Sequence, residues 1–221
     1  MAEAQVARQP LADQMYEVLL DRFMNGVHAA GEPLNIGALS RELNVSQTPL
    51  REALARLEHT GLVRREAMKG YRVSPSMTKS EIGKLMDARV VLESAMTYET
   101  ALRTTPEFLD ELRQTVEDLA QSAERADTET EYFRRYWSSD DRFHALIAER
   151  CDNPFLEAAY RALGGQIQRF RLFSKLGHTG AQFAAREHRA VYEALADRDP
   201  ERAAELMREH IESAKNRNLS H

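Results

Sequence analysis

The sequence predicts a mainly α chain in two domains: an N-terminal winged helix-turn-helix over residues 1–76 and a C-terminal all-α antiparallel six-helix bundle over residues 77–221. Three observations support that reading. The stretch LSRELNVSQTPLREALARLEHTGLV, from Leu39 to Val63, packs a short helix, a tight turn and a second helix into the geometry that fits a DNA major groove. Two strand-like runs follow it, separated by a glycine-bearing turn. Beyond Ser76 the apolar spacing is helical throughout, with no strand signal between the helices.

Met1 to Pro10 form no apolar pattern and are expected to be a mobile arm. Leu11, Met15, Val18, Leu19 and Phe23 then make a helical stripe that packs on the two helices after it. In the first helix of the motif Ile36, Leu39 and Leu43 recur at helical spacing, and Asn44 and Val45 supply the turn. Ser46 stands where an N-cap belongs, and Pro49 is tolerable in the first turn of the next helix. That helix turns Leu50, Leu54 and Leu57 inward and leaves Gln47, Thr48 and Arg51 on its outer N-terminal face, with Gly61 just past its end. Leu62 to Glu66 and Tyr71 to Val73 are the strands of a wing, separated by Ala67, Met68, Lys69 and Gly70, with Gly70 expected at the tip. Arg41, Arg56 and Lys69 are further candidates for phosphate contacts.

Ser74, Pro75 and Ser76 break the pattern, and Thr78 with Glu81 three residues later forms a capping box. Six helices follow, at about 79–103, 106–126, 129–150, 154–175, 181–197 and 200–217, with Gly177 and Gly180 marking one loop. Their N-cap signals are Thr105 with Pro106, Thr128 with Glu131, Asn153 with Pro154, and Asp199 with Pro200.

The net charge of −5 is unevenly spread: from Leu34 to Ser76 there are seven Lys or Arg against four Asp or Glu. A locally basic head on an acidic chain points to DNA contact through one face, with marked salt dependence, and excludes a general RNA chaperone. The single cysteine, Cys151, excludes an internal disulfide framework and agrees with a reducing cytoplasm. No membrane span and no signal peptide is evident, so a cytoplasmic location is expected.

Four polar side chains interrupt the apolar stripes of the bundle. One helix reads Phe133, Tyr136, Trp137, Asp140, His144 and Ile147; another Ala184, His188, Val191 and Leu195; the last Ala203, Leu206, Met207, His210 and Ala214. An unpaired buried carboxylate costs several kcal/mol, about as estimated for desolvated ions, so a shared divalent cation is one way to satisfy Asp140, His144, His188 and His210 together. The alternative is that each histidine is hydrogen-bonded separately in the core. Imidazole and carboxylate suit zinc or nickel, with manganese or iron as alternatives. Nearby, Ile82, Leu85, Met86, Arg89, Glu93 and Met96 put a cation on an inner face, where Arg89 pairs with Glu93 or waits for an anionic ligand.

The segment VSQTPLREALARLEHTGLV, from Val45 to Val63, resembles the signature of the GntR family of bacterial transcription regulators. The resemblance implies that Arg51 and Gly70 meet DNA at the second helix and the wing, with Ser46 and Thr48 as phosphate donors. Two positions depart from the family pattern: Gln47 stands where arginine is common, and Gly37 where some members have arginine. Glutamine suits adenine edges and arginine guanine, so the operator sequence is not inherited. The segments DDRFHALIAERCDNP from Asp140, Glu187-His188 and Glu209-His210-Ile211 are similar to the FCD ligand-sensing domain of the FadR subfamily, in its six-helix VanR-type branch. That resemblance implies a metal held by Asp140, His144, His188 and His210, with Asp141 rotated off the stripe, and Arg89 as a clamp for a small organic-acid effector. It further implies a homodimer on a pseudo-palindromic double-stranded operator, acting as a repressor. Two rivals differ in class: an effectorless architectural DNA-binding dimer, and a metal-dependent hydrolase. The second lacks an evident general base, because Glu187 and Glu209 each precede a histidine and are expected to project away from it.

Overall fold

The computed structural model describes residues 10–126, 128–174 and 180–220. The expected arm over residues 1–9, Gly177 and the C-terminal His221 lie outside the described residues. The chain divides into two compact units, Met1–Ser76 and Met77–His221.

The first unit is built on α1 (Leu11–Met24), α2 (Ile36–Glu42) and α3 (Gln47–His59). The inward face of α1 is Met15, Leu19, Leu20, Phe23 and Met24, whereas Leu11 is exposed and Val18 half-buried, so the stripe is rotated from the expected one. Asn35 caps α2, its Oδ1 accepting from the Ala38 amide at 2.9 Å. The turn between α2 and α3 rests on Asn44 in the left-handed region at φ 52°, which asparagine tolerates, and on the Ser40 hydroxyl donating to the Val45 carbonyl at 2.5 Å. Ser46 occupies the N-cap position of α3 in extended backbone, but its side chain makes no capping bond. At the other end the amides of Leu62 and Gly61 donate to the carbonyls of Leu57 and Glu58, a paired closure that needs the positive φ of 71° at Gly61. Leu19, Leu50, Leu54, Leu57, Leu62 and Val73 fill the core and are fully buried.

The wing is a three-stranded antiparallel sheet in the order β1-β3-β2, with β1 at Pro33–Leu34, β2 at Val63–Glu66 and β3 at Gly70–Val73. Two features differ from expectation. β1 was not foreseen, because two residues give no periodicity; Leu34 opposite Tyr71 seals the sheet against the helices. Gly70 is not the tip: it pairs with Glu66 at the start of β3, and exposed Met68, at φ 62°, carries the turn.

The second unit contains α4 (Lys79–Ala101), α5 (Pro106–Ala123), α6 (Thr130–Arg150), α7 (Pro154–Ser174), α8 (Ala181–Ala196) and α9 (Pro200–Leu219), each within a few residues of its expected span. Thr78 and Glu81 form the capping box that starts α4. Thr105, Asn153 and Asp199 each accept from amides of the following first turn. The expected cap at Thr128 does not form, because its hydroxyl donates back to the Arg125 carbonyl at 3.2 Å; α6 starts instead after Glu129, whose carboxylate is taken by Arg125. Helix α4 is central, packed against α6, α7, α8 and α9, while α5 packs on α6 and α8. The core is made by Met86, Met96, Leu112, Leu119, Phe143, Ile147, Ile167, Leu195, Met207 and Ile211. Being enclosed, α4 also buries Arg89, Glu93, Ser94, Thr97 and Thr100, and the two threonines donate to the Glu93 and Ile147 carbonyls at 2.7 and 2.9 Å. Among the described residues no helix is long and apolar enough to cross a membrane.

Candidate functional site

In the second unit α6, α8 and α9 bring Asp140, His144, His188 and His210 to one place. All four are buried, and each offers a ligand atom such that the four atoms lie within 4.8 Å of one another. His188 Nε2 is 3.2 Å from Asp140 Oδ1 and 3.3 Å from His144 Nε2, and His144 Nε2 is 3.9 Å from Asp140 Oδ1.

The second nitrogen of each ring decides the chemistry. His188 Nδ1 donates to the Ala184 carbonyl at 2.6 Å, and His210 Nδ1 donates to Glu187 Oε2 at 2.8 Å. His144 Nδ1 faces Glu93 Oε2 at 2.6 Å, at ion-pair distance though off the line of a straight hydrogen bond. With the Nδ1 positions turned to acceptors, the Nε2 lone pairs are left for the centre. Two such lone pairs 3.3 Å apart repel, and a cation between them turns the repulsion into ligation. Oxygen or backbone partners behind the ligating imidazoles are the usual support of a metal-bound histidine. The donor set therefore fits a divalent ion.

Electrostatics agree. Burial holds His144 below the usual histidine range, although Glu93 pulls the other way. Burial, together with the neighbouring His188 and His144, pushes His210 down to about 3, so that it is neutral near pH 7. Asp140 is penalised by burial yet lies well below the ordinary carboxylate range, because the Arg171 guanidinium sits beside it with Nε 2.6 Å from Asp140 Oδ2. Glu93 resists burial in the same way, through Arg89 and His144. Glu187, held by His210 and Arg217 against its own desolvation, falls to about 2.

Arg89 is 3% exposed and donates to Glu93 from Nε at 2.6 Å and from Nη2 at 3.3 Å. It also lines a cavity with Asp140, His210, Tyr136, Trp137 and Arg171, so the pairing with Glu93 and a place on the cavity wall coexist. Three residues of this site escaped the sequence reading in their actual roles. Glu187 is turned from His188, as expected, but not to open solvent: it bridges from α8 to His210 and Arg217 on α9. Arg171, the lone cation on the buried face of α7, braces Asp140 and Asp141. Glu93 serves an imidazole as well as Arg89. Asp141 itself is turned out to Arg171 and Gln168, consistent with its offset from the stripe. Of the other histidines, His28 pairs with Glu32, His59 is exposed, and His178 lies outside the described residues.

The first unit presents its polar face at the start of α3. Arg41, Ser46, Gln47, Thr48 and Arg51 are exposed, and Arg51 Nη2 donates to Gln47 Oε1 at 3.2 Å. Gly37 lies beneath: a Cβ there would stand 3.3 Å from the capping Asn35 Oδ1, 3.8 Å from Arg41 Nη1 and 3.9 Å from Gln47 Nε2. The two departures from the family pattern are thus neighbours in space. Lys69 and Gly70 are exposed on the wing, as are Arg64 and Arg65 of β2, which the sequence reading did not single out. Arg56 is set apart from this face, because it reaches Asp13 and lies 4.5 Å over the Tyr16 ring of α1.

Comparison with known proteins covers both units. Residues 84–213 match the FCD domain, and residues 11–73 match the family described as bacterial regulatory proteins, gntR family. The chain is 27% identical over 226 residues to the HTH-type transcriptional regulator YcbG of Bacillus subtilis, covering 97% of this chain and 92% of that one. It is 25% identical over 205 residues to the HTH-type transcriptional repressor RspR of Escherichia coli, covering 92% and 87%. Among solved structures it shares the fold of Escherichia coli McbR/YncC, with a TM-score of 0.67 at 21% identity and 96% of each chain covered.

Proposed function

Because the chain belongs to the gntR family of bacterial regulatory proteins, in the FadR subfamily that carries a C-terminal FCD domain, we propose that this transcription regulator is a cytoplasmic repressor whose operator affinity is set by a small carboxylate bound at a metal centre. The observation that carries the reading is the convergence of Asp140, His144, His188 and His210 with acceptors facing the second nitrogens of the three imidazoles. Three imidazoles and one carboxylate suit zinc or nickel, with manganese or iron also accommodated. When bound, the ion supplies positive charge and open coordination positions for a carboxylate oxygen.

The protein's own residues do the rest. Arg171 neutralises Asp140 and orients it, Glu93 and Glu187 orient His144 and His210, and Arg89 places a guanidinium on the cavity wall where an organic acid enters. In the first unit Gln47 and Arg51 are the base-reading residues, while Ser46, Thr48, Arg41 and Lys69 hold phosphates and Gly70 lets the wing backbone approach. The free hydroxyl of Ser46 supports its part, since it is not spent on capping α3. Arg56 is better accounted for as a brace between α3 and α1. Two copies on a pseudo-palindrome give the half-site symmetry such heads require. An effector controls this assembly only if it binds the free and operator-bound arrangements unequally.

The test is an operator titration of the purified protein with metal, with chelator, and with a panel of small carboxylates. The proposal expects operator release by some carboxylate in the metal-loaded protein and none after chelation. Operator affinity indifferent to metal and to every acid would instead favour an architectural DNA-binding dimer.

A further inference from the structure

The cavity beside the metal centre holds two buried donors that nothing satisfies. Arg171 uses Nε for Asp140 Oδ2 and Nη1 for Asp141 Oδ1, each at 2.6 Å, and its Nη2 has no partner although the residue is only 7% exposed. Trp137 Nε1 is likewise buried without an acceptor. Both residues line the same cavity, of about 60 Å³, together with Asp140 and His210. Guanidinium and indole nitrogens donate and never accept, so the group that completes this wall must be an acceptor.

Charge sets what kind. Around the centre Arg89, Arg171 and Arg217 face Glu93, Asp140 and Glu187, one guanidinium to each inner carboxylate. The histidines add no charge when neutral. A divalent ion on the quartet therefore leaves a buried positive excess, which half-exposed Asp141 offsets only in part. An anionic ligand offsets what remains, and the two unpaired donors give a second carboxylate, which a monoacid lacks, a place to bind.

Resting on the metal-centre reading above, the geometry points to a second anion subsite, formed by Arg171 Nη2 and Trp137 Nε1, that selects a short dicarboxylate as effector. One carboxylate occupies the open coordination positions and the other meets the two unpaired donors. The spacer is short, because the same guanidinium touches the ligating Asp140 and offers Nη2 to the second group. The small cavity favours a compact acid over a long-chain one.

Trp137 is the single tryptophan of the chain, so its emission reports directly on this wall. Full-length metal-loaded protein is titrated with succinate and malonate against acetate and propionate, following fluorescence and calorimetry, with metal content measured on the same samples. The inference expects the dicarboxylates to perturb the emission saturably and to bind roughly tenfold or more tightly than the monoacids. By calorimetry Trp137→Phe, which keeps the ring and removes the donor, loses most of that preference with metal content unchanged. Arg171→Lys, which keeps a charge beside Asp140 but removes the Nη2 donor, loses the preference as well, read per metal ion bound. Bound metal with equal affinity for mono- and dicarboxylates, or an undiminished preference in Trp137→Phe, overturns the second subsite while leaving the metal centre standing. Protein that takes up no metal and binds no acid overturns both.

Discussion

At the scale of single residues, the helical stripe of α6 placed Asp140 and His144 on one inward face, and the same spacing argument picked out His188 and His210. What no spacing could supply was the second layer. Glu187 follows a surface rhythm on α8, yet it reaches across to α9; a one-helix projection has no view of the neighbour. Arg171 stands among aromatic and apolar residues that read as core, so its setting in the sequence does not mark it as a brace for Asp140. His144→Ala is expected to lower metal content and thermal stability together, measured by elemental analysis and calorimetry, since ligand loss removes binding energy that is also folding energy. Normal metal stoichiometry in that variant would take His144 out of the site. At the DNA face, Arg51→Ala is expected to weaken operator binding by about 1 to 3 kcal/mol, the usual range for a base-contacting arginine. An unchanged gel-shift titration would count against its role.

At the scale of elements, the helices of the second unit were legible because strong start signals coincide with the apolar period. The exception is instructive: Thr128 has the composition of a cap but spends its hydroxyl on Arg125, a local competitor that composition alone does not weigh. β1 was illegible for a different reason, since a two-residue strand exists only through its partner β3. The capping box of α4 is a clean place to test how element and bundle are coupled. Thr78→Ala removes the hydroxyl acceptor of the Glu81 amide, and a loss of about 0.5 to 2 kcal/mol is expected in denaturant unfolding. A loss below that range would mean the central packing of α4 fixes its first turn without the cap. Leu112, fully buried between α5 and its neighbours, should cost about 2 to 5 kcal/mol when cut to alanine, because the surrounding helices collapse only in part around the cavity.

At the scale of the whole molecule, the second unit combines a buried, charge-dense centre with ordinary helical packing, and this makes its stability depend on pH in a definite direction. His210 is kept neutral by burial with a value near 3 in the folded chain, against an ordinary value of about 6.5 when unfolded. As pH falls below about 6.5 the unfolded chain takes up a proton that the folded chain refuses, so stability drops. Glu187, lowered to about 2 from an ordinary glutamate value of 4.5, acts in the same direction from about pH 4.5 downward. The melting temperature of the metal-free protein should therefore decline between neutral pH and about pH 4; a level or rising value over that window would contradict the burial of a neutral His210. The acidic chain with a locally basic head also carries a consequence for DNA: affinity should fall with salt, in proportion to the number of phosphates that the proposed basic face contacts.

The central claim is that four side chains on three helices form one cation site. Diffraction from crystals of the full-length, metal-loaded protein, recorded at the absorption edge of the bound metal, tests it most directly. The account predicts one anomalous peak per chain, within coordinating distance of Asp140, His144, His188 and His210. A loaded crystal whose peak lies elsewhere, or that shows none among these four residues, would contradict it.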